Sequence, residues 1–178
     1  MSQKKALIIS SSLVQDQEFV YPFYRLLEEN IKVDVYLLEN TITKGFLGST
    51  IPPNKDHPIH SFDELHDNSY DLLILPGGVK SMEKVRLEKN VLNFIYEFNS
   101  KKKIIASICS AAQLLISAKI VKGRVISGYY SMKDDIINAG AKFEDSPFVI
   151  DNNIITSPHY KFVHHWMKET LRLVKNRK

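Results

Sequence analysis

One cysteine, Cys109, is all the thiol that the 178 residues contain, and it stands beside a single tryptophan, seven glycines and seven prolines. A lone cysteine excludes an internal disulfide and any zinc motif built on paired cysteines, and it agrees with a reducing compartment. Long apolar runs are missing too. Met1-Ser2-Gln3-Lys4-Lys5 leads only into the short run Ala6–Ser10. That run is too brief for a signal-peptide core or a membrane span, so the expectation is a cytoplasmic protein without membrane association. A large excess of one sign of charge is missing as well, the formal balance being +4. The basic clusters Lys101-Lys102-Lys103 and Lys175, Arg177, Lys178 read as solvated helix and chain ends. Without aromatic residues interleaved among them, no nucleic-acid partner is expected. His57, His60 and His66 share no helix face and have no cysteine beside them, so they are expected at the surface; no metal and no cofactor is expected. With 44% hydrophobic and 25% charged residues the composition is that of an ordinary globular chain, expected to form one domain over residues 1–178.

What the sequence does contain is a regular alternation of apolar runs and helical periodicities. Ala6–Ser10 reads as a buried strand, and Asp16 is a candidate N-cap for a helix to Glu29 with Phe19, Val20, Phe23, Leu26 and Leu27 on one side. Ile31–Leu38 and Tyr70–Leu75 follow as strands, separated by an irregular stretch, residues 39–69, that predicts a hairpin or loop excursion. Glu83–Lys101 reads as one or two helices, Ile104–Ile108 as a strand and Ala111–Ala118 as a helix. Gly123–Ser127, Lys142–Glu144, Phe148–Ile150 and Ile154–Ser157 are expected strands, with helices at Met132–Ala139 and from Tyr160 to Lys175. Strands alternating with helices predict a layered α/β fold with a mostly parallel sheet.

Cys109 falls where an apolar strand turns into a helix. Two readings stand side by side there: a small buried thiol that only packs, and a reactive thiol favoured as thiolate by the free N–H groups of a helix start. In parallel sheets the functional crevice lies beyond the carboxyl ends of the strands. That rule selects Ser11–Asp16, Gly77-Gly78, Cys109-Ser110 and Ser157-Pro158-His159. If they converge, a thiol, backbone donors and polar side chains share one pocket.

The ordered series Tyr21–Leu26, Leu73-Ile-Leu-Pro-Gly-Gly78, Ala106-Ser-Ile-Cys109, Gln113–Ala118, Gly123-Arg124, Lys133–Gly140 and Trp166-Met167 resembles the ThiJ/PfpI family of the DJ-1/PfpI superfamily, with its class I glutamine amidotransferase-like fold. The resemblance covers nearly the whole chain. It implies a three-layer, flavodoxin-like α/β sandwich, homodimers or hexamers, and a reactive cysteine on a nucleophile elbow. Members are described as intracellular peptidases, glyoxalase or deglycase-like enzymes, chaperones and oxidative-stress sensors.

The family pattern also carries a glutamate after the first strand and, in its peptidase-like branch, a histidine after the cysteine. Counting along this chain puts the glutamate position at Gln15 and the histidine position at Ser110. Glu83 matches an acidic residue that a neighbouring subunit supplies in the peptidase branch, and it is read here as a helix N-terminal charge or an interface ion-pair partner. Gly78 and Ser110 would offer backbone N–H groups to an oxyanion, Gln15 would be the thiolate partner, and His159 and Tyr129 are candidate accessory groups of the pocket. An amide such as Gln15 donates a hydrogen bond but moves no proton near neutral pH, so the expected activity is weak. The expectation is therefore a cysteine-dependent hydrolase or lyase acting on a small carbonyl or amide compound. The alternative is a non-enzymatic stress sensor or chaperone-like protein acting through oxidation of Cys109.

Overall fold

The computed structural model describes residues 3–177, so the expectations that touch Met1, Ser2 and Lys178 lie outside the described residues. The chain opens with β1 (Lys5–Ser10), α1 (Asp16–Glu28) and β2 (Lys32–Leu37), followed by the small hairpin β3 (Thr43–Lys44) and β4 (Thr50–Ile51). Next come β5 (Leu72–Leu75), α2 (Val79–Val85), α3 (Lys89–Ser100), β6 (Ile104–Ile108) and α4 (Ala112–Ser117). The remainder is β7 (Val125–Ile126), α5 (Lys133–Asn138), β8 (Lys142–Phe143), β9 (Val149–Asp151), β10 (Ile154–Ser157) and α6 (Val163–Asn176).

Six strands form the central sheet in the order β2-β1-β5-β6-β10-β9, all parallel except the edge pair β10 and β9. Strands buried on both faces need apolar residues at successive positions, and Leu72-Leu-Ile-Leu75 and Ile104-Ile-Ala-Ser-Ile108 supply them. On one face Phe19, Phe23 and Leu26 of α1 pack with Trp166, Met167 and Leu171 of α6 against Ile8, Ile74 and Ala106. On the other, Phe94, Ile95 and Phe98 of α3 pack with Leu114 and Leu115 of α4 against Leu7, Leu73 and Ile105. This is the expected three-layer α/β arrangement.

Several boundaries differ from those read in the sequence. The stretch Glu83–Lys101 is two helices, and the first begins at Val79, directly after the glycine pair. Gly123–Ser127 contributes only the two residues of β7, which pair with β8 outside the central sheet. Asp16 is not the N-cap. Gln15 holds that position, with no side-chain cap bond, while the Asp16 carboxylate accepts the N–H groups of Leu47 and Ser49 at 2.7 and 2.8 Å. Those two bonds tie the loop between β3 and β4 to the start of α1. His66 is exposed, whereas His57 is half-buried against the Phe23 ring. No helix among the described residues is long and apolar enough to cross a membrane.

The chain runs from β1 outward to β2 and then crosses back to β5 on the other side of β1. That reversal opens a crevice at the carboxyl ends of β1, β5 and β6, where the four sequence segments meet.

Candidate active site

Cys109 follows the last residue of β6 with φ of 60°, a left-handed conformation that costs a side-chain-bearing residue about 1–2 kcal/mol. The strain persists because both flanks are fixed. Ile108 is locked in the sheet, and Cys109–Ala111 form a 3-10 turn that runs straight into α4. The Cys109 carbonyl accepts the Tyr129 N–H at 3.1 Å. The side chain is thereby lifted out of the strand toward the crevice, where it is 9% exposed.

Two glycines make this approach possible. A Cβ on Gly77 would lie 2.8 Å from the Cys109 Cβ, and one on Gly78 would lie 2.6 Å from the Gln15 nitrogen. Gly78 also has φ of 104°, open to glycine at little cost. Its N–H and that of Ser110 are both directed at the Cys109 sulfur and favour its ionised form. Burial, with the charge of Glu18 adding to it, pushes the thiol the other way, well above the usual cysteine range.

The carboxylate beside the thiol belongs to Glu18, not to position 15. Gln15 sits at the N-cap in extended backbone, and its Nε2 donates to Gln17 Oε1 at 2.8 Å. Glu18 lies one turn further on, fully buried, and its side chain points back toward the helix start as helical side chains do. Its Oε2 accepts the Gly77 N–H at 2.8 Å. Oε1 has no hydrogen-bond partner of ordinary geometry among the described residues. Burial raises Glu18 to about 7, against the opposing pull of the Gly77 N–H, the Cys109 thiol and the Tyr160 N–H. The glutamate that the resemblance implied is present, and counting back from Tyr21-Pro22 misses it by three residues. A signal was there to find it: Glu18 lies four residues before Pro22 and eight before Leu26, on the buried stripe of α1.

A cavity of about 460 Å³ opens over the sulfur, and Gln15, Gly78, Cys109, Tyr129 and His159 all border it. Gln15 is thus a wall of the pocket, without a hydrogen bond to the thiol. His159 stacks on Tyr129 at 6.0 Å between centroids and lies tilted against Tyr160 at 4.1 Å, and its Nδ1 accepts the Lys161 N–H at 3.1 Å. Burial and the Lys161 charge lower its pKa, which favours a neutral ring. Ser110 is 1% exposed, its hydroxyl has no partner among the described residues, and it borders a second cavity behind Tyr129 and Val79. Glu83 lies away from the thiol on α2, exposed and 3.5 Å from Lys80. No group of three or more His, Cys, Asp or Glu side chains among the described residues is arranged to hold a metal.

A parallel α/β sheet whose central strand delivers a buried thiol at positive φ, with a carboxylic acid and two backbone donors around it, defines a nucleophile-elbow protein. The model of the DJ-1/PfpI family matches residues 4–173, and the chain belongs to that family. It is 34% identical over 171 residues to deglycase PfpI of Pyrococcus furiosus, covering 96% of this chain and 99% of that protein. It is 30% identical over 176 residues to the putative cysteine protease YraA of Bacillus subtilis, covering 98% and 100%. Among solved structures, Drosophila melanogaster DJ-1beta superposes with a TM-score of 0.86 at 25% identity, over 97% of this chain and 91% of that one.

Proposed function

We propose that this chain is a cysteine-dependent enzyme of the deglycase or glyoxalase kind, acting on a small carbonyl compound. Cys109 is the nucleophile, Glu18 the proton carrier, and the Gly78 and Ser110 N–H groups the oxyanion donors. The observation that carries the reading is the buried acid beside the buried thiol: a carboxyl group raised to about 7 both gives and takes a proton at neutral pH. The name deglycase on the Pyrococcus furiosus relative, 34% identical, points the same way.

With a 2-oxoaldehyde the chemistry runs as follows. As Glu18 takes the thiol proton, the Cys109 sulfur attacks the aldehyde carbon, an S–C bond forms, and the carbonyl π pair moves to oxygen, where the two N–H groups stabilise it. Glu18 protonates that oxygen, then takes the proton from the aldehyde carbon and delivers it to the neighbouring carbonyl carbon, while the hydroxyl proton on the first oxygen passes to the second. The first carbon is oxidised and the second reduced, leaving a 2-hydroxyacyl thioester. Water attacks the thioester, releases the 2-hydroxy acid and returns the thiol. No outside oxidant or reductant is consumed.

Amide hydrolysis has less support, because the position after the cysteine is a serine and His159 already accepts the Lys161 N–H through Nδ1. As in other members of the family, self-association into a homodimer or hexamer is part of the proposal, and analytical ultracentrifugation measures it.

The test is methylglyoxal turnover by the parent and three variants. Cys109→Ala is expected to abolish it, Glu18→Gln to lower it by roughly 10²–10⁴-fold, and Gln15→Ala to leave it within about tenfold of the parent. A Cys109→Ala protein as fast as the parent would end this reading.

A further inference from the structure

The cavity over Cys109 has a composition that says what kind of carbonyl compound fits it. Its outer wall is Leu13, Phe46, Leu47 and Val79, and its inner wall is Tyr129, His159 and Tyr160. Among the described residues, the only charged side chain on its border is Lys80, whose side chain is 67% exposed. No carboxylate among the described residues borders it. Glu18 reaches only the floor, through the Gly77 N–H behind the sulfur. Phe46 and Leu47 are 65% and 62% exposed, unusual for large apolar side chains on a short loop.

Their placement is not accidental to the fold. Leu47 and Ser49 donate their N–H groups to the Asp16 carboxylate, Phe46 donates its N–H to the Val14 carbonyl at 2.8 Å, and Leu13 donates to the Lys44 carbonyl at 2.8 Å. Gly45 packs so closely on Asp16 that a Cβ there would lie 2.4 Å from a carboxylate oxygen. Four hydrogen bonds and one close packing contact thus hold an apolar loop tip over the nucleophile while water remains in contact with it.

We infer that the Phe46–Leu47 loop tip and the Tyr129–Tyr160 wall form a substituent pocket that selects carbonyl compounds carrying an aryl or bulky alkyl group over those carrying a methyl group or a cationic chain. The selection deepens the proposed reaction and rests on it only for the identity of the carbonyl; the pocket itself acts on any electrophile that reaches Cys109. A bound aryl ring covers the apolar surface that Phe46 and Leu47 present to solvent, whereas a methyl group leaves most of it wet. A cationic substituent finds no carboxylate in the pocket and meets Lys80 at its rim.

Two readouts separate this inference from the proposed function. The first needs no turnover: the rates at which iodoacetamide and N-phenyliodoacetamide alkylate Cys109, each divided by its rate with glutathione. In both, sulfur displaces iodide from the CH₂ carbon. The phenyl reagent is expected to be favoured by about tenfold or more in the parent, and by no more than about threefold in the Phe46→Ala/Leu47→Ala protein, whose two changes are at exposed positions. A parent ratio near one overturns the inference, as does a ratio unchanged in the double variant. The second readout is turnover of phenylglyoxal against methylglyoxal, with the same preference expected in kcat/KM. Equal kcat/KM values overturn the substrate selection. An enhanced alkylation ratio with neither aldehyde turned over upholds the pocket and refutes the proposed reaction.

Discussion

Gly77 stands between Glu18 and Cys109: its N–H donates to Glu18 Oε2 at 2.8 Å, and its Cα faces the Cys109 Cβ with no space for a methyl group between them. One residue therefore sets both the position of the acid and the approach of the thiol. A Gly77→Ala side chain would meet Glu18 Oε2 at 2.6 Å and Cys109 Cβ at 2.8 Å, so the acid and the elbow must separate. Overpacking of this kind costs about 1–3 kcal/mol. Thermal unfolding should show a Tm several degrees lower, and methylglyoxal turnover should fall more steeply than the folded fraction does.

Burial of Glu18 ties stability to pH. Its folded pKa, about 7, lies above the 4.5 of a glutamate in the unfolded chain, so the folded state holds the proton more tightly. The stabilisation this provides is complete below pH 4.5 and is lost as pH rises through 7, a total of about 3 kcal/mol. Glu18→Gln removes the titration. The variant should gain stability relative to the parent between pH 5 and pH 8 in urea unfolding, and a constant difference across that range would refute the assignment.

Asp16 serves the loop and leaves the chemistry to others. Its carboxylate takes the N–H groups of Leu47 and Ser49, and hydrogen bonds to a charged group of this kind contribute about 1.5–3 kcal/mol each, net of exchange with water. Asp16→Ala should free the loop tip, so that hydrogen exchange at the Leu47 and Ser49 amides rises by tenfold or more. Glutathione-normalised alkylation by iodoacetamide should stay within about threefold of the parent, because this small reagent does not use the loop.

The opposite side of the molecule offers a control. Asp34 on β2, 4% exposed, pairs with Lys5 at 2.5 Å and accepts the Tyr70 hydroxyl at 2.9 Å. Removing Asp34 leaves the half-buried Lys5 ammonium and the Tyr70 hydroxyl without their carboxylate, at a cost of about 1–3 kcal/mol. Asp34→Ala should lower the urea midpoint accordingly while the alkylation rate of the folded protein at Cys109 is unchanged, since the cluster lies toward the amino ends of the strands.

By itself the sequence determined the run of strands and helices, because parallel strands need continuous apolar residues and surface helices need an apolar stripe. It determined as well that Cys109 ends a strand, that Gly77-Gly78 ends its neighbour, and that the order of these motifs is that of one family. What it left undecided was distance across the fold. Only the tertiary structure brought Leu13, Gly78, Cys109 and His159 to one cavity, and only it chose Glu18 over Gln15. Those two side chains are three residues apart at the start of α1, one at its N-cap and one inside it, and either could face the strand ends until the first helical turn is fixed. Gln15 lies at the N-cap in extended backbone and turns to Gln17, while Glu18, inside the helix, leans back onto Gly77. The phase of a single helix start thus decides whether the thiol has an acid beside it: the stripe shared with Pro22 and Leu26 turns Glu18 inward, and only the packed helix shows that this face meets Gly77 and Cys109.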